Sequence, residues 1–374
     1  MSEEINSKLE EIRKQINKID RQILELLNKR AEYSLEVGKI KKHSKESIFK
    51  PFREKDILEE LVKANPGPLP REHLLAIYRE ILSSSRSLQR PQKIVYLGPE
   101  GTFSYFAALH YFGHSATYFP KFILEDVFKA VRNKEAELGV IPLENSLQGT
   151  VGQSLDMFLK YQVYIQAEIF CKISHSILSL SENLSDIEVV YSHPQALQQC
   201  SLWLKTRLPG VKIVPVDSTA AGAKMASHNK KAAAIAHPAL AANLGLNVLE
   251  TGIEDLPENW TRFLIIGSDE PPQGNRDKTS LLFTLPDKPG SLARVLNLLA
   301  MENVNMKKLE SRPLRGEKWQ YVFFCDVECD LSKEQYKALL KDLKHSCHTL
   351  RILGSYPNGP YIDLPGELIN ESRS

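Results

Sequence analysis

Two basic residues on one uninterrupted stretch, Arg30 and Lys41, stand eleven positions apart. At 100° per residue of helix they share a face, roughly 16 Å apart along the axis. Cations at that spacing suit a ligand that carries carboxylates. Arg13 lies on the same stretch, roughly 26 Å from Arg30. No small ligand can touch both Arg13 and Lys41 of one straight helix, but an antiparallel second copy would bring its Arg13 to this chain's Arg30. A solvated charged helix surface is the plainer alternative.

A second set of polar residues falls where short apolar runs end. It comprises Glu144-Asn145-Ser146 with Gly149-Thr150, then His175, then Ser192-His193-Pro194-Gln195-Ala196, then Asp217-Ser218-Thr219, then Asn259-Trp260-Thr261-Arg262-Phe263. Loops at strand C-termini are where open α/β sheets bind ligands. Each cluster alone reads equally as a cap or turn, and Ser218 or Asn145 would cap a helix with no further role. A Ser, His and Asp triad can be composed from them, but no GxSxG elbow supports one. The turn GPEGTFS at 98–104 lacks the GxGxxG spacing of a dinucleotide site, though the bare amides of a helix start there could take an anion.

The elements that must hold these residues follow from periodicity. Ile5, Leu9, Ile12, Ile16, Ile19, Ile23 and Leu26, continued by Leu27 and Val37, make a heptad-like stripe. The spacing predicts a helix over about 4–42, roughly 58 Å long. Its stripe must pack on other helices or on a partner chain. Pro51 and Pro66-Gly67-Pro68 set off helices over 52–64 and 71–89. Three such unequal helices make a poor monomeric bundle and a natural dimer.

From Pro91 the period changes to alternating strands and helices, with strands expected at 138–141, 163–173, 187–191, 211–216, 232–236 and 262–266 after KIVYLG. A polar linker, DEPPQGNRD, precedes a third pattern. Its strands are expected at 279–285, 306–312, 319–327 and 349–353 and its helices at 291–302 and 332–345, with Ser332 and Gln335 as a capping box. That βαββαβ order predicts a ferredoxin-like domain, a fold that hosts many functions. Residues 361–374 read as a frayed polar tail. The expected domains are thus 1–91, 92–270 and 278–356: all-α, two-lobe α/β and α+β.

Bulk composition narrows the classes. The 374 residues are 42% hydrophobic and 25% charged with net charge +2, so charge argues for neither a nucleic-acid nor a membrane partner. No run reaches the 18 or so apolar residues of a spanning helix, and MSEEINSKLEEIRK lacks the apolar core of a signal peptide. The five cysteines, Cys171, Cys200, Cys325, Cys329 and Cys347, suit a reducing, cytoplasmic compartment. Cys325 and Cys329 lack nearby ligands for a metal and read as residues of an alternating strand.

Three resemblances sharpen these readings. IRKQINKID, LLNKR, VGKIK, FREK and SSSRSLQ resemble the all-helical chorismate mutase family, intertwined homodimers that rearrange chorismate to prephenate. The resemblance implies a site of Arg13 from one subunit with Arg30, Lys41, Arg53, Glu54, Ser85 and Gln89 from the other. Lys50 departs from the pattern, standing where some members carry an acidic residue. GPEGTFS, PLENSLQGTV, SHPQALQQC, DSTAA, AAAIA and NWTRF resemble the prephenate dehydratase domain, two lobes closing on a cleft like a type II periplasmic binding protein. This implies proton delivery by Thr261, substrate contacts from Asn145, Ser146 and Thr219, an Arg262 that holds a substrate carboxylate or braces the cleft, and weaker candidates in His175 and Glu144. TSLLFTLPDKPGSLARVLNLLA and KLESRP resemble a phenylalanine-sensing ACT domain. Its effector site would comprise Gly290, Ser291, Leu292, Glu310, Ser311, Arg312 and Pro313, with Ser291 replacing the usual Ala. Mutase, dehydratase and ACT in that order resemble the bifunctional P-protein family of phenylalanine synthesis. The expected enzyme needs neither metal nor organic cofactor and pairs with itself, as a dimer or possibly a tetramer. A dehydratase with a degenerate helical dimerisation module, and a ligand sensor without turnover, are the rival readings.

Overall fold

The computed structural model of the chain describes residues 2–44, 47–314 and 321–363. The front is three helices, α1 (Ser2–Ser44), α2 (Pro51–Ala64) and α3 (Arg71–Gln89). Proline sets the start of α2 at its first position, where a missing N–H costs nothing. Gly38 allows α1 to lie on α3, because a Cβ there would sit 2.9 Å from Gln89 Cα. Only the C-terminal third of α1 is covered in this way. Ile5, Ile12, Ile16, Ile19 and Leu26 stay about half exposed or more.

The chain then alternates through β1 (Lys93–Leu97), α4 (Phe103–Phe112), β2 (Thr117–Lys121), α5 (Leu124–Arg132), β3 (Leu138–Asn145), β4 (Gly149–Thr150), α6 (Gly152–Lys160) and β5 (Tyr164–Lys172). It crosses to a second lobe of β6 (Ser176–Ser179), β7 (Val189–Ser192), α7 (Pro194–Gln199), α8 (Ser201–Arg207), β8 (Lys212–Pro215), α9 (Thr219–Ala226), β9 (Ala232–Ala236), α10 (Leu240–Leu244) and β10 (Asn247–Thr251). It returns in β11 (Trp260–Gly267), which inserts antiparallel between β3 and β5. The second lobe has its own sheet, ordered β10-β6-β9-β7-β8. Strands β2, β4, β6 and β10 are not among those expected from the sequence. β2 and β10 are sheet edges, β4 has two residues and β6 four.

The tail is β12 (Lys278–Thr284), α11 (Ser291–Met301), β13 (Met306–Pro313), β14 (Tyr321–Val327), α12 (Lys337–Ser346) and β15 (Thr349–Tyr356), with sheet order β13-β14-β12-β15. Three details correct the sequence reading. The box of Ser332 and Gln335 does not form, because Asp330 Oδ1 takes both the amide and the hydroxyl of Ser332 at 3.0 and 2.6 Å. A 3-10 turn over Glu334–Tyr336 then leads into α12. Cys325 lies on β14 but Cys329 lies past its end, and all five cysteines are buried and free. Finally, the expected frayed tail begins with a strand. β16 (Tyr361–Ile362) pairs parallel with β5, and Tyr361 stacks on Phe170 with ring centroids 4.5 Å apart. Residues 364–374 lie outside the described residues.

Strand β11 organises the core because it is buried on both faces. Phe263 and Ile265 pack in a cluster with Ala220, Ala223, Ala234 and Leu240 of the second lobe. Leu264 and Ile266 pack in another with Leu282, Phe324 and Leu353 of the tail sheet. By the two-residue strand period, Thr261 belongs with the first face and Arg262 with the second.

Candidate active sites in the helical front and the two-lobe centre

In the front, helix register and the contact of α1 with α3 bring six of the seven expected residues onto one cavity of about 250 Å³. Arg30, Lys41, Arg53, Glu54, Ser85 and Gln89 all line it, with Lys50. Arg30 Nη1 donates to Ser85 Oγ and, at 3.4 Å, to the Ile81 carbonyl. Gln89 Nε2 donates to the Ser85 carbonyl at 3.1 Å, while its buried Oε1 has no partner among the described residues. Glu54 Oε2 accepts from Arg86 Nη1 at 2.5 Å. Arg13 is exposed on the bare part of α1 and takes no part in this cavity.

In the centre, three residues close together by strand register, since β11 sets Thr261 opposite Asn145. Asn145 Oδ1 accepts the amides of Leu147 and Gln148 at 3.1 and 3.2 Å. That fixes the side-chain amide, so its nitrogen is the donor. It donates to Asn259 Oδ1 at 2.6 Å and to Thr261 Oγ1 at 3.0 Å. Thr261 therefore accepts from Asn145 and keeps its own proton to give, and an accepting hydroxyl is polarised towards donation. Ser146 Oγ ties the same loop, donating to the Glu258 carbonyl at 3.1 Å and accepting from the Trp260 amide at 2.9 Å.

The two crossings between lobes run side by side, with Ile173 N on the Asn259 carbonyl at 2.7 Å and Ile253 N on the His175 carbonyl at 3.1 Å. His175 is buried there, its Nε2 paired with Gln199 Oε1 at 2.9 Å. Burial pushes its pKa down against the Gln199 bond, so it stands neutral. His175 Nδ1, Ser176 Oγ, Gln199 Nε2 and Asn259 Nδ2 are all buried without a protein partner among the described residues. Buried polar atoms left without a protein partner are met by water or a ligand. Thr219 comes from the second lobe as the first residue of α9, behind the cap that Ser218 Oγ makes on Ala221 N at 3.0 Å.

Comparison with known proteins follows this geometry. Residues 12–90 match the model of chorismate mutase type II, residues 94–271 that of prephenate dehydratase, and residues 279–345 that of the ACT domain. A bifunctional chorismate mutase/prephenate dehydratase of Aquifex aeolicus is 42% identical over 93% of this chain and 98% of its own length. The chain belongs to the bifunctional chorismate mutase/prephenate dehydratase family. Among solved structures, a prephenate dehydratase of Arthrobacter aurescens in complex with L-Phe superposes with TM-score 0.66 at 33% identity, over 71% of this chain and 90% of that one. A quorum quenching acylase, GqqA, superposes with TM-score 0.65 at 30% identity, over 72% of this chain and 99% of that one. The shared backbone alone therefore does not name a reaction.

Two residues expected in the dehydratase cleft stand elsewhere. Arg262 lies on the far face of β11, 4% exposed. It bonds Glu168 Oε2 at 2.7 Å, Asp326 Oδ2 at 2.5 Å and the Tyr356 hydroxyl at 3.1 Å. Burial alone would lower its pKa, but Asp326 and Glu168 raise it well above the usual value. It braces the dehydratase sheet against the ACT sheet and cannot clamp a ligand carboxylate beside Thr261. Glu144 also faces the ACT domain. Burial would raise its pKa, but the cations of Lys308 and Arg262 hold it below the usual carboxylate range. Neighbours in sequence point oppositely along a strand, which a motif read as a string conceals.

The ACT residues divide likewise. Thr284 and Arg312 both stand opposite Val322, so the Gly290-Ser291-Leu292 and Glu310-Ser311-Arg312-Pro313 segments share one end of the sheet. Gly290 caps α11 with φ +83. From β13, Glu310 accepts from Thr150 Oγ1 at 3.0 Å, Lys308 pairs with Glu144, and Arg312 reaches Asp156 at 3.4 Å. Ser311 and Pro313 are exposed. Asn259 is named only as part of its cluster, and Gln199, Lys308 and Arg86 are not assigned to a site from the sequence. All four sit inside quoted motifs, NWTRF, SHPQALQQC, KLESRP and SSSRSLQ, but the string attaches no role to any of them.

Proposed function

We propose that the chain rearranges chorismate to prephenate in the helical front, then converts prephenate to phenylpyruvate, carbon dioxide and water in the two-lobe centre, under control of phenylalanine at the ACT domain. The observation that carries this reading is the end-to-end likeness to a relative bearing both activities, together with the placement of both sets of polar residues in it.

The first reaction is unimolecular and needs no nucleophile. Its catalyst holds the reactive conformer and stabilises charge on the breaking ether oxygen. Arg30 and a second copy's Arg13 clamp carboxylates, Arg53 adds to the positive lining, and Lys41 and Gln89 direct donors to the ether oxygen. Glu54 accepts from a substrate hydroxyl, and Ser85 orients Arg30. The half-exposed stripe of α1 is the surface a second copy covers, which makes the homodimer part of the site.

In the second reaction the C–C bond to the ring carboxylate breaks and its electrons enter the ring. The ring C–O bond breaks with them, and the leaving hydroxide takes a proton. Thr261 delivers that proton, polarised by Asn145. Asn145, Ser146 and Asn259 shape the lobe-one wall and Thr219 the lobe-two wall, and the neutral His175 contributes hydrogen bonding rather than charge.

The sites lie apart. A groove of about 1160 Å³ beside Lys41 and Gln89 is walled by Leu138 and Gly267. These are the opposite ends of β3 and β11 from Asn145 and Thr261, roughly 20 Å away. The domains responsible are 1–91, 92–270 and 278–356.

Purified chain given chorismate or prephenate tests the whole reading, by loss of chorismate absorbance and appearance of phenylpyruvate. No turnover of prephenate removes the enzymatic reading of the centre. Turnover of prephenate but not of chorismate selects a degenerate front. Calorimetry with phenylalanine that shows no saturable heat removes the effector site.

A further inference from the structure

We propose that Arg86 is a positioning residue of the mutase site, which orients Glu54 and anchors it to the dehydratase domain. The inference rests on the reading of Glu54 as a substrate contact.

Arg86 sits in the last turn of α3 and is 4% exposed. Its three nitrogens are taken by three acceptors from different parts of the chain. Nη1 bonds Glu54 Oε2 at 2.5 Å, Nε bonds Gln92 Oε1 at 3.0 Å, and Nη2 bonds the Phe112 carbonyl at 2.6 Å. The guanidinium also stands 5.8 Å from the centre of the Phe112 ring. Glu54 belongs to the helical front. Gln92 lies in the link to β1, and Phe112 ends the first helix of the dehydratase domain. Each nitrogen is held by a protein acceptor, so the side chain that borders the cavity is fixed by the protein itself. A rigid planar fork held at each of its three nitrogens has one orientation, and it passes that orientation to the carboxylate it touches.

The surrounding contacts show that α3 is fastened to the same region. His114 N donates to Glu80 Oε2 at 3.0 Å, Ser115 N to Ser83 Oγ at 3.1 Å, and Phe49 packs on Phe112 with ring centroids 5.3 Å apart. Among these fastenings, Arg86 is the buried side chain that also touches Glu54, so it references that wall of the mutase cavity to α4 of the dehydratase domain.

The test is a double-mutant cycle in the full chain, with Arg86→Met, Glu54→Gln and the pair, each assayed with chorismate and with prephenate. Losing one charge-assisted hydrogen bond predicts a fall of about ten- to a hundredfold in mutase kcat/KM for Arg86→Met, with prephenate turnover within about twofold of the parent. In the Glu54→Gln background Arg86→Met should cost little more. Arg86→Lys, which keeps a cation on Glu54, should retain more mutase activity than Arg86→Met. Additive losses, an unchanged mutase, or an equal fall in both activities overturns the proposal. Glu54→Gln with full mutase activity removes the Glu54 reading itself, whatever Arg86→Met does. If Arg86→Met does not fold, the comparison passes to Gln92→Leu, which frees one edge of the fork. A mutase-specific loss absent from the Glu54→Gln background supports the proposal, and no such loss overturns it.

Discussion

The front and the centre of this molecule assemble polar sites by opposite means. In the front, residues along one helix are fixed in rotation and rise, and Arg13 stays far from Arg30 whatever the rest of the chain does. Six residues line one cavity beside the contact of α1 with α3, and the seventh, Arg13, stays exposed far along α1. In the centre, sheet register brings Asn145 to within 3.0 Å of Thr261 across 116 positions of sequence, and one chain completes the cluster. A helix keeps distance along its axis, whereas a sheet erases sequence distance.

Breaking the two sites separately tests this difference. Thr261→Ala should lower prephenate turnover by about 10²- to 10⁴-fold, the range for a lost proton donor, and leave chorismate consumption intact. Near-full prephenate turnover would remove Thr261 from proton delivery. Arg30→Ala should lower mutase kcat/KM by about 10²- to 10³-fold, since it strips one partner from a desolvated charge pair, and spare the dehydratase. Ile16→Glu puts a charge on the bare stripe of α1. At nanomolar protein it should cut mutase activity about tenfold or more, with recovery at higher concentration and a smaller species by light scattering, while prephenate turnover holds. A mutase indifferent to this change would mean that the front works as a monomer.

The ACT junction sharpens the comparison at the other end. Lys308 bonds Glu144 and, at 2.8 Å, Thr150, and Glu144 is the neighbour of Asn145 in β3. Lys308→Met should raise the phenylalanine concentration for half-inhibition about fivefold, the small end of allosteric couplings. Calorimetry should show phenylalanine still binding. Unchanged inhibition would exclude this contact from the coupling.

Among the described residues no helix is long and apolar enough to cross a membrane. Within the fold, the sequence alone determined what depends on period and punctuation. The stripe and the prolines placed the three front helices within two residues of their observed ends, and the alternation gave the βαββαβ tail. Family motifs located the cavity residues and the Thr261 cluster. Only the tertiary structure decided which way neighbours point. NWTRF reads as one motif, yet the strand turns Thr261 towards the other lobe and Arg262 into a buried cluster with Glu168 and Asp326 of two different domains. It also decided that Tyr361 and Ile362 form a strand, because pairing with an exposed edge is a property of that edge and not of a two-residue string. Arg86 belongs to the same class. Its three acceptors come from three separate segments, and no local pattern encodes a contact that exists only once those segments are packed together.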